Sequence, residues 1–301
     1  MNCLIVTATN DSYIKTMIDF IEKFFINCGS NDLIVYDIGL SKTNINLIEQ
    51  LKNKYNFEFK TLNYDLYPEH VNVNKYKGLF CSYAFKPVII YNEANNPSNK
   101  NKNIIWMDSA NRFNETIINN ICNSVNKYGI YSPISNDRGS IESIELNHPA
   151  TVKLLGLTEL EHKSKLYSIS ANLVGLNYSS ECGRKILNEW YNYSLNKAII
   201  MPQDSSRNNH RQDQTILSIL MYLYEKNNNV YFDKNNFGVN FWVKFDPPTV
   251  DNEYIQFKLI NKETHQQLAI IYCKDIKEAI TTYSNRKLMS INDFLNYYIV
   301  V

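Results

Sequence analysis

Four short stretches of the chain carry side chains with chemistry to offer. Asp108-Ser109-Ala110-Asn111-Arg112 directly follows the apolar run Ile104-Ile105-Trp106-Met107. An acidic turn therefore leaves the carboxyl end of a buried strand, which is where open α/β sheets bind ligands. Tyr83-Ala84-Phe85-Lys86-Pro87 sets one lysine at the start of an apolar helix, and an ammonium near helix amides suits a diphosphate. His210-Arg211-Gln212-Asp213-Gln214 is polar and titratable and runs straight into the apolar segment that begins at Thr215. Thr7-Ala8-Thr9-Asn10-Asp11-Ser12-Tyr13 leaves the first strand; its small and hydroxyl residues admit a ligand to the backbone, and Tyr13 offers a face for a base to stack on. Each stretch has a plain structural alternative. Asp108 could cap the next helix, Lys86 could snorkel, and Asp213 could be an N-cap or first-turn acid. Asp37 and Gly39 after the second strand could shape a base pocket or simply make a turn.

The elements that would position these residues follow from periodicity. Cys3–Ala8 is a short apolar run with β-branched Ile5 and Val6, and Ile14, Met17, Ile18, Ile21, Phe24 and Phe25 then recur at helical spacing until Cys28-Gly29. The pattern repeats in the run 33–37, the helix face of Ile45, Ile48 and Leu51, and the run 57–62. Alternating strands and helices imply a mostly parallel sheet covered on both faces. Further expectations are a loop over 63–78, a helix over 82–94, a fourth strand over 104–108 and an interior strand over 166–176. Helices are expected over 181–195 and 212–224. Asp246-Pro247-Pro248 punctuates the chain, so a catalytic domain is expected over 1–245 and an extension over 246–301. The extension should hold a hairpin (254–260 with 267–272) and a final amphipathic segment over 293–299.

Taken in order, Thr7 to Tyr13, Phe85-Lys86, Asp108-Ser109-Ala110 and Asp213-Gln214 resemble the motifs of GT-A-fold nucleotide-sugar glycosyltransferases. The likeness is strongest to the glycogenin-like retaining group, glycosyltransferase family eight. Tyr36-Asp37-Ile38-Gly39-Leu40-Ser41, Trp106-Met107-Asp108-Ser109 and His210-Arg211-Gln212-Asp213-Gln214 also look like a poorly characterised glycosyltransferase-like domain of unknown function. The resemblance spans roughly residues 1–230. It implies a GT-A (Rossmann-like) α/β fold and transfer of a sugar from a UDP-sugar to a hydroxyl of a glycan or protein-linked glycan, with retention. It also implies roles by residue. Thr7, Ala8, Thr9, Asn10, Tyr13 and Asp37 would receive the nucleotide. Lys86, Asp108, Ser109, Ala110 and Arg112 would surround the diphosphate, Asp213 with Gln214 would act at the donor sugar, and His210, counted with the catalytic residues, and Arg211 would contact phosphate or acceptor. Mn2+ or Mg2+ on Asp108 belongs to the pattern, yet Ala110 stands where the family has a second carboxylate. His265, the one histidine of the tail, lacks the family's context. Without a metal, Lys86, Arg112 and helix N-termini would bear the leaving-group charge. An inert carbohydrate- or nucleotide-binding protein on the same fold is the alternative that Ala110 favours. A sugar nucleotidyltransferase is a third, although 7–12 lacks the glycine-rich basic loop that such enzymes use.

Composition narrows the remaining classes. With 301 residues and 44% hydrophobic side chains the chain can bury a large core. A net charge of +1 supplies no field for a polyanion, so no nucleic-acid partner is expected. The six cysteines are scattered without a C-x-x-C pair, so reduced thiols are expected. No apolar run approaches a bilayer span and the first residues lack a basic segment, which together lead us to expect a soluble, cytoplasmic protein. Trp190, Trp242 and Tyr64 are candidates for stacking on an acceptor sugar.

Overall fold

The computed structural model describes residues 3–75, 82–135, 146–159, 161, 166–206, 209–241, 243–246, 255–273, 275–287 and 289–301. Its main unit is a six-stranded sheet in the order β3-β2-β1-β4-β6-β5. The strands are β1 (Cys3–Thr9), β2 (Asp32–Asp37), β3 (Glu58–Thr61), β4 (Asn103–Met107), β5 (Ile130–Tyr131) and β6 (Leu173–Leu176). β1 pairs in parallel with β2 and β4, and β2 with β3, whereas β6 runs antiparallel to both β4 and β5. The expected α/β architecture, a mostly parallel sheet flanked by helices with a small C-terminal unit, is the one observed.

Strand alternation divides the core in two. Leu4, Val6, Ile104 and Trp106 point to one face, where they meet α3 (Phe85–Ala94), α6 (Glu181–Ser194) and α8 (Gln212–Asn228). Cys3, Ile5, Ile105 and Met107 point to the other, against α1 (Ile14–Cys28), Ile48 of α2 (Lys42–Lys54) and α4 (Glu115–Tyr128). α1 earns its place by burying Met17, Phe20, Ile21 and Phe24, which share one helical face. Each such side chain contributes roughly 1.5–3 kcal/mol on burial. Two short helices, α5 (Pro149–Leu154) and α7 (Lys197–Ile200), complete this unit.

The structure departs from the sequence reading in several places. Only Leu173–Leu176 of the expected strand 166–176 joins the sheet. The residues before it bond to loops instead, Ser135 N–H to Ser168 O and Ser170 N–H to Pro133 O. The loop over 63–75 contains two short 3-10 turns, Tyr64–Leu66 and Glu69–Val71. Cys28, Cys182 and Cys273 are buried, but Cys3 and Cys122 are joined as a disulfide between β1 and α4, which corrects the expectation of uniformly reduced thiols. Cys81, Trp242, Pro247, Pro248 and Tyr254 lie outside the described residues. Among the described residues no helix is long and apolar enough to cross a membrane.

The C-terminal unit holds the expected hairpin, β7 (Ile255–Asn261) with β8 (Gln267–Cys273). The expected final amphipathic segment splits into α10 (Ile291–Tyr297) and a third strand, β9 (Tyr298–Val300), which pairs with β7. α9 (Ile276–Arg286) is an addition that the sequence reading missed. Phe257, Leu259, Tyr283 and Phe294 form a separate small core.

Candidate functional site

The sheet order reverses between β1 and β4, which pair in parallel, with β2 beyond β1 and the antiparallel β6 beyond β4. A crevice forms at the carboxyl ends of strands flanking such a switch point. Asp108 is the next residue after β4, and by alternation it continues on the face of Trp106 and α3. There it meets Lys86, the second residue of α3, whose Nζ stands 3.0 Å from Asp108 Oδ1 and 3.1 Å from Oδ2. The ammonium also donates to Ala171 O at 3.4 Å and lies over the rings of Tyr83 and Trp106. Trp106 Nε1–H donates to Asp108 Oδ1 at 2.8 Å. Lys86 is 6% exposed. Burial alone would lower its pKa, but the Asp108 and Asp213 carboxylates outweigh that and raise it, so the group stays charged. Both carboxylates thus act on the Lys86 ammonium.

Asp213 sits in the first turn of α8 and is buried. Two features hold it. Trp190 Nε1–H donates to its carbonyl oxygen at 3.1 Å, and Gln212 just before it has φ +42, a conformation that few non-glycine residues adopt. Tyr83, three residues before Lys86, also has a positive φ, +55. Strain of this kind persists where surrounding packing over-determines the backbone. Gln214 Nε2–H donates to Ser168 Oγ at 2.8 Å. Trp190 is fully buried, so it is no platform for an acceptor sugar. Tyr64 is half-buried with its hydroxyl on Ile38 O.

Two residues assigned to chemistry by the sequence are structurally committed. His210 is fully buried; its Nε2 pairs with Ile200 O at 3.1 Å and its Nδ1 accepts from His148 N–H at 3.4 Å. Burial, with His148 nearby, lowers its pKa to about 4. A neutral ring with both nitrogens engaged has none left for proton transfer. Arg112 uses its five donors within the protein: Nε and Nη2 on Asp19, Nη1 on Ser109 O and Asn111 O, and Nη2 on Thr16 O. It ties the acidic turn to α1 rather than offering charge to a ligand. Arg211 is half-buried at the N-terminus of α8, and its backbone N–H donates to Leu146 O at 3.0 Å.

The residues expected to receive a nucleotide lie at the ends of β1 and β2. Thr7 and Thr9 are buried, and Ala8 is half-buried. Asn10 Oδ1 accepts from Ser12 N–H, and Tyr13 is 37% exposed. Asp37 Oδ1 accepts from Gly39 N–H at 2.8 Å and Leu40 N–H at 2.7 Å, the signature of a side-chain-closed turn. Gly39 has φ +141, a conformation that strains any residue with a Cβ, and the exposed Asn74 side chain packs over its open face. Asp108 does not cap α4, because Asn114 does so by accepting from Ile117 N–H.

Residues 239–241 and 243–246 form a strap bonded to these turns and to α1. Arg112 and Asn240 exchange backbone hydrogen bonds, and Val243 N–H donates to Ala110 O at 2.8 Å. Asp246 then accepts from Lys15 N–H and Thr16 N–H, each at 2.8 Å, capping α1 from the far end of the chain. Lys244 brings an ammonium to Tyr13, 3.2 Å from its hydroxyl. Sequence reasoning missed Trp106 as a partner of Asp108. It also missed the strap, Lys244 and Asn172, whose carbonyl accepts from Asp108 N–H and Asn111 Nδ2–H. Only Trp106 carried a signal, its spacing of two from Asp108.

The residues present do not fit a divalent cation. Such ions take several oxygen ligands, but both Asp108 oxygens already accept from Lys86 and one also from Trp106. Ala110 supplies no ligand, and His265 is exposed in the β7–β8 turn of the second sheet. No group of three His, Cys, Asp or Glu side chains able to hold a metal exists among the described residues. A depression of about 380 Å³ lined by Asn95, Asn96, Lys100 and Tyr178 opens beside Ile104, at the opposite end of β4 from Asp108.

Residues 1–91 match the model of a family described as a protein of unknown function, DUF1647. No curated protein matches the chain. Among solved structures the chain is similar to the galactosyltransferase LgtC in complex with donor and acceptor sugar analogues: 14% identity, TM-score 0.44, over 73% of this chain and 70% of that one. It is similar to mouse xyloside xylosyltransferase 1, with 10% identity and TM-score 0.45 over 75% of this chain and 83% of that one. It is also similar to core-mannan synthase A from Aspergillus fumigatus in its Mn/GDP form, with 10% identity and TM-score 0.39 over 73% and 69%. At these TM-scores none of the three lends its activity to this chain.

Proposed function

We propose that this protein is a GT-A-type glycosyltransferase that moves a sugar from a UDP-sugar to a hydroxyl of a glycan acceptor, with retention of configuration. The observation that carries the reading is the buried Lys86 ammonium, in contact with Asp108 and in the field of Asp213, at the switch point of an α/β sheet. In the reaction the bond between the anomeric carbon and the diphosphate oxygen breaks with its electron pair going to the diphosphate. The acceptor oxygen bonds to that carbon and its proton passes to the departing diphosphate oxygen. The protein must therefore tolerate growing negative charge on one side and hold a sugar with growing positive charge on the other. Lys86 offsets the charge of Asp108, so the turn does not repel the diphosphate. Lys244 stands at Tyr13, where the nucleotide side of the site opens. Asp213 faces the donor sugar with Gln214 beside it, while His210 and Arg112 position the elements that carry them.

The test is release of uridine diphosphate from a panel of UDP-sugars, with and without glycan acceptors. Asp213→Asn should reduce turnover by about a hundredfold or more while circular dichroism and nucleotide affinity stay near those of the parent. Native turnover in that variant would remove Asp213 from the reaction. Binding without turnover for every donor would favour the inert binding protein.

A further inference from the structure

We propose that the acidic turn works without a divalent cation, the Lys86 ammonium being the permanent counter-charge of Asp108. This rests on the nucleotide-sugar reading above and departs from the metal-bound pattern that the sequence resemblance implies. Three independent features carry it. First, Lys86 reaches both oxygens of Asp108 at 3.0 and 3.1 Å, and Trp106 Nε1–H takes a further lone pair at 2.8 Å. A divalent ion arriving at the exposed part of Asp108 would compete with these donors and would sit within a few ångströms of a buried ammonium. Second, the residue that would complete a two-carboxylate cage is Ala110. It is 7% exposed, and its carbonyl is held by Val243 N–H of the strap, so the turn is closed where a second ligand would have to enter. Third, Lys86 is not free to swing away. Its neighbours Tyr83 and Trp106 flank the ammonium, and Ala171 O accepts from it.

The consequence for a ligand is electrostatic. A bare Asp108 would repel a diphosphate, and a metal would have to bridge the two. An Asp108 already compensated from within the fold is close to neutral, so the diphosphate can approach without a bridging ion. Lys86 is therefore a positioning and compensating residue for the turn, and its loss should create a need for metal that the parent lacks.

Isothermal calorimetry on the full chain separates the cases: manganese alone is titrated first, then uridine diphosphate in EDTA and in manganese. The parent should bind no manganese on its own, and its affinity for uridine diphosphate should agree within about twofold between the two buffers. Lys86→Met should lose about tenfold in affinity in EDTA and regain part of it in manganese, because Asp108 is then uncompensated. Manganese binding to the parent that disappears in Asp108→Asn, or an affinity for uridine diphosphate at least about tenfold higher in manganese, overturns the proposal. The manganese arms use the parent chain, so the outcome does not depend on Lys86→Met folding. If uridine diphosphate binds in neither buffer and manganese remains silent, the nucleotide-sugar reading fails and the statement about the cation stands.

Discussion

A buried ammonium survives only where carboxylates repay its desolvation, and Lys86 meets that condition through Asp108 at close range and Asp213 at longer range. Asp108→Asn should therefore destabilise the fold, by about 2 kcal/mol once the partial exposure of Asp108 is allowed for; urea unfolding measures it. His210 supplies a pH signature. Its folded pKa of about 4 lies below the ordinary 6.5, so between those values the unfolded chain binds the proton and the folded chain does not. Stability is thus full above about pH 6.5 and falls as the pH drops toward 4, by about 3 kcal/mol. His70, also lowered by burial, acts in the same direction. Urea midpoints measured from pH 7 to 4 should show this slope, and His210→Gln should flatten it. None of these roles is readable from residue type, because a histidine before a helix looks the same whether its ring is solvated or enclosed.

At the scale of elements, the site depends on connections between segments remote in sequence. The N-terminus of α1 has no side-chain cap of its own, and Asp246 supplies one with both carboxylate oxygens. Asp246→Ala should cost about 1–2 kcal/mol, visible as a melting temperature lower by several degrees. Gly39→Ala should cost about 1–2 kcal/mol, since φ +141 strains a residue with a Cβ. That variant should also weaken uridine diphosphate binding if the turn after β2 shapes the base pocket. The helices and strands of 1–62 were legible because their apolar residues repeat with clean periods. Strand 166–176 was overestimated because an apolar run with small residues satisfies a buried coil equally well, and its first half bonds to loops.

On the scale of the whole molecule, the strap makes the main unit depend on chain that the sequence punctuation assigned to its margin. A chain ending at 254 keeps Asn240, Val243, Phe245 and Asp246 on their partners, whereas one ending at 238 loses them all. Differential scanning calorimetry should find the shorter chain about 10 °C less stable than the longer one. Equal melting temperatures would show the strap to be dispensable. The β7–β9 sheet has its own core, and Asn240 Nδ2–H to Leu268 O is one of its links to the strap.

Local order was encoded directly in the chain. Hydrophobic period identified β1, α1, β2, α2 and β4, and with them the position of Asp108 just beyond a buried strand, because both follow from short-range geometry. Tertiary structure alone decided which charges meet. Lys86, Asp108 and Asp213 come from three segments whose juxtaposition depends on the strand order, and Arg112 and His210 proved to be engaged by backbone carbonyls that no spacing announces. Hydrogen bonds between distant segments leave no periodic trace in sequence, so the chain displayed the ingredients of the site while the fold allotted their roles.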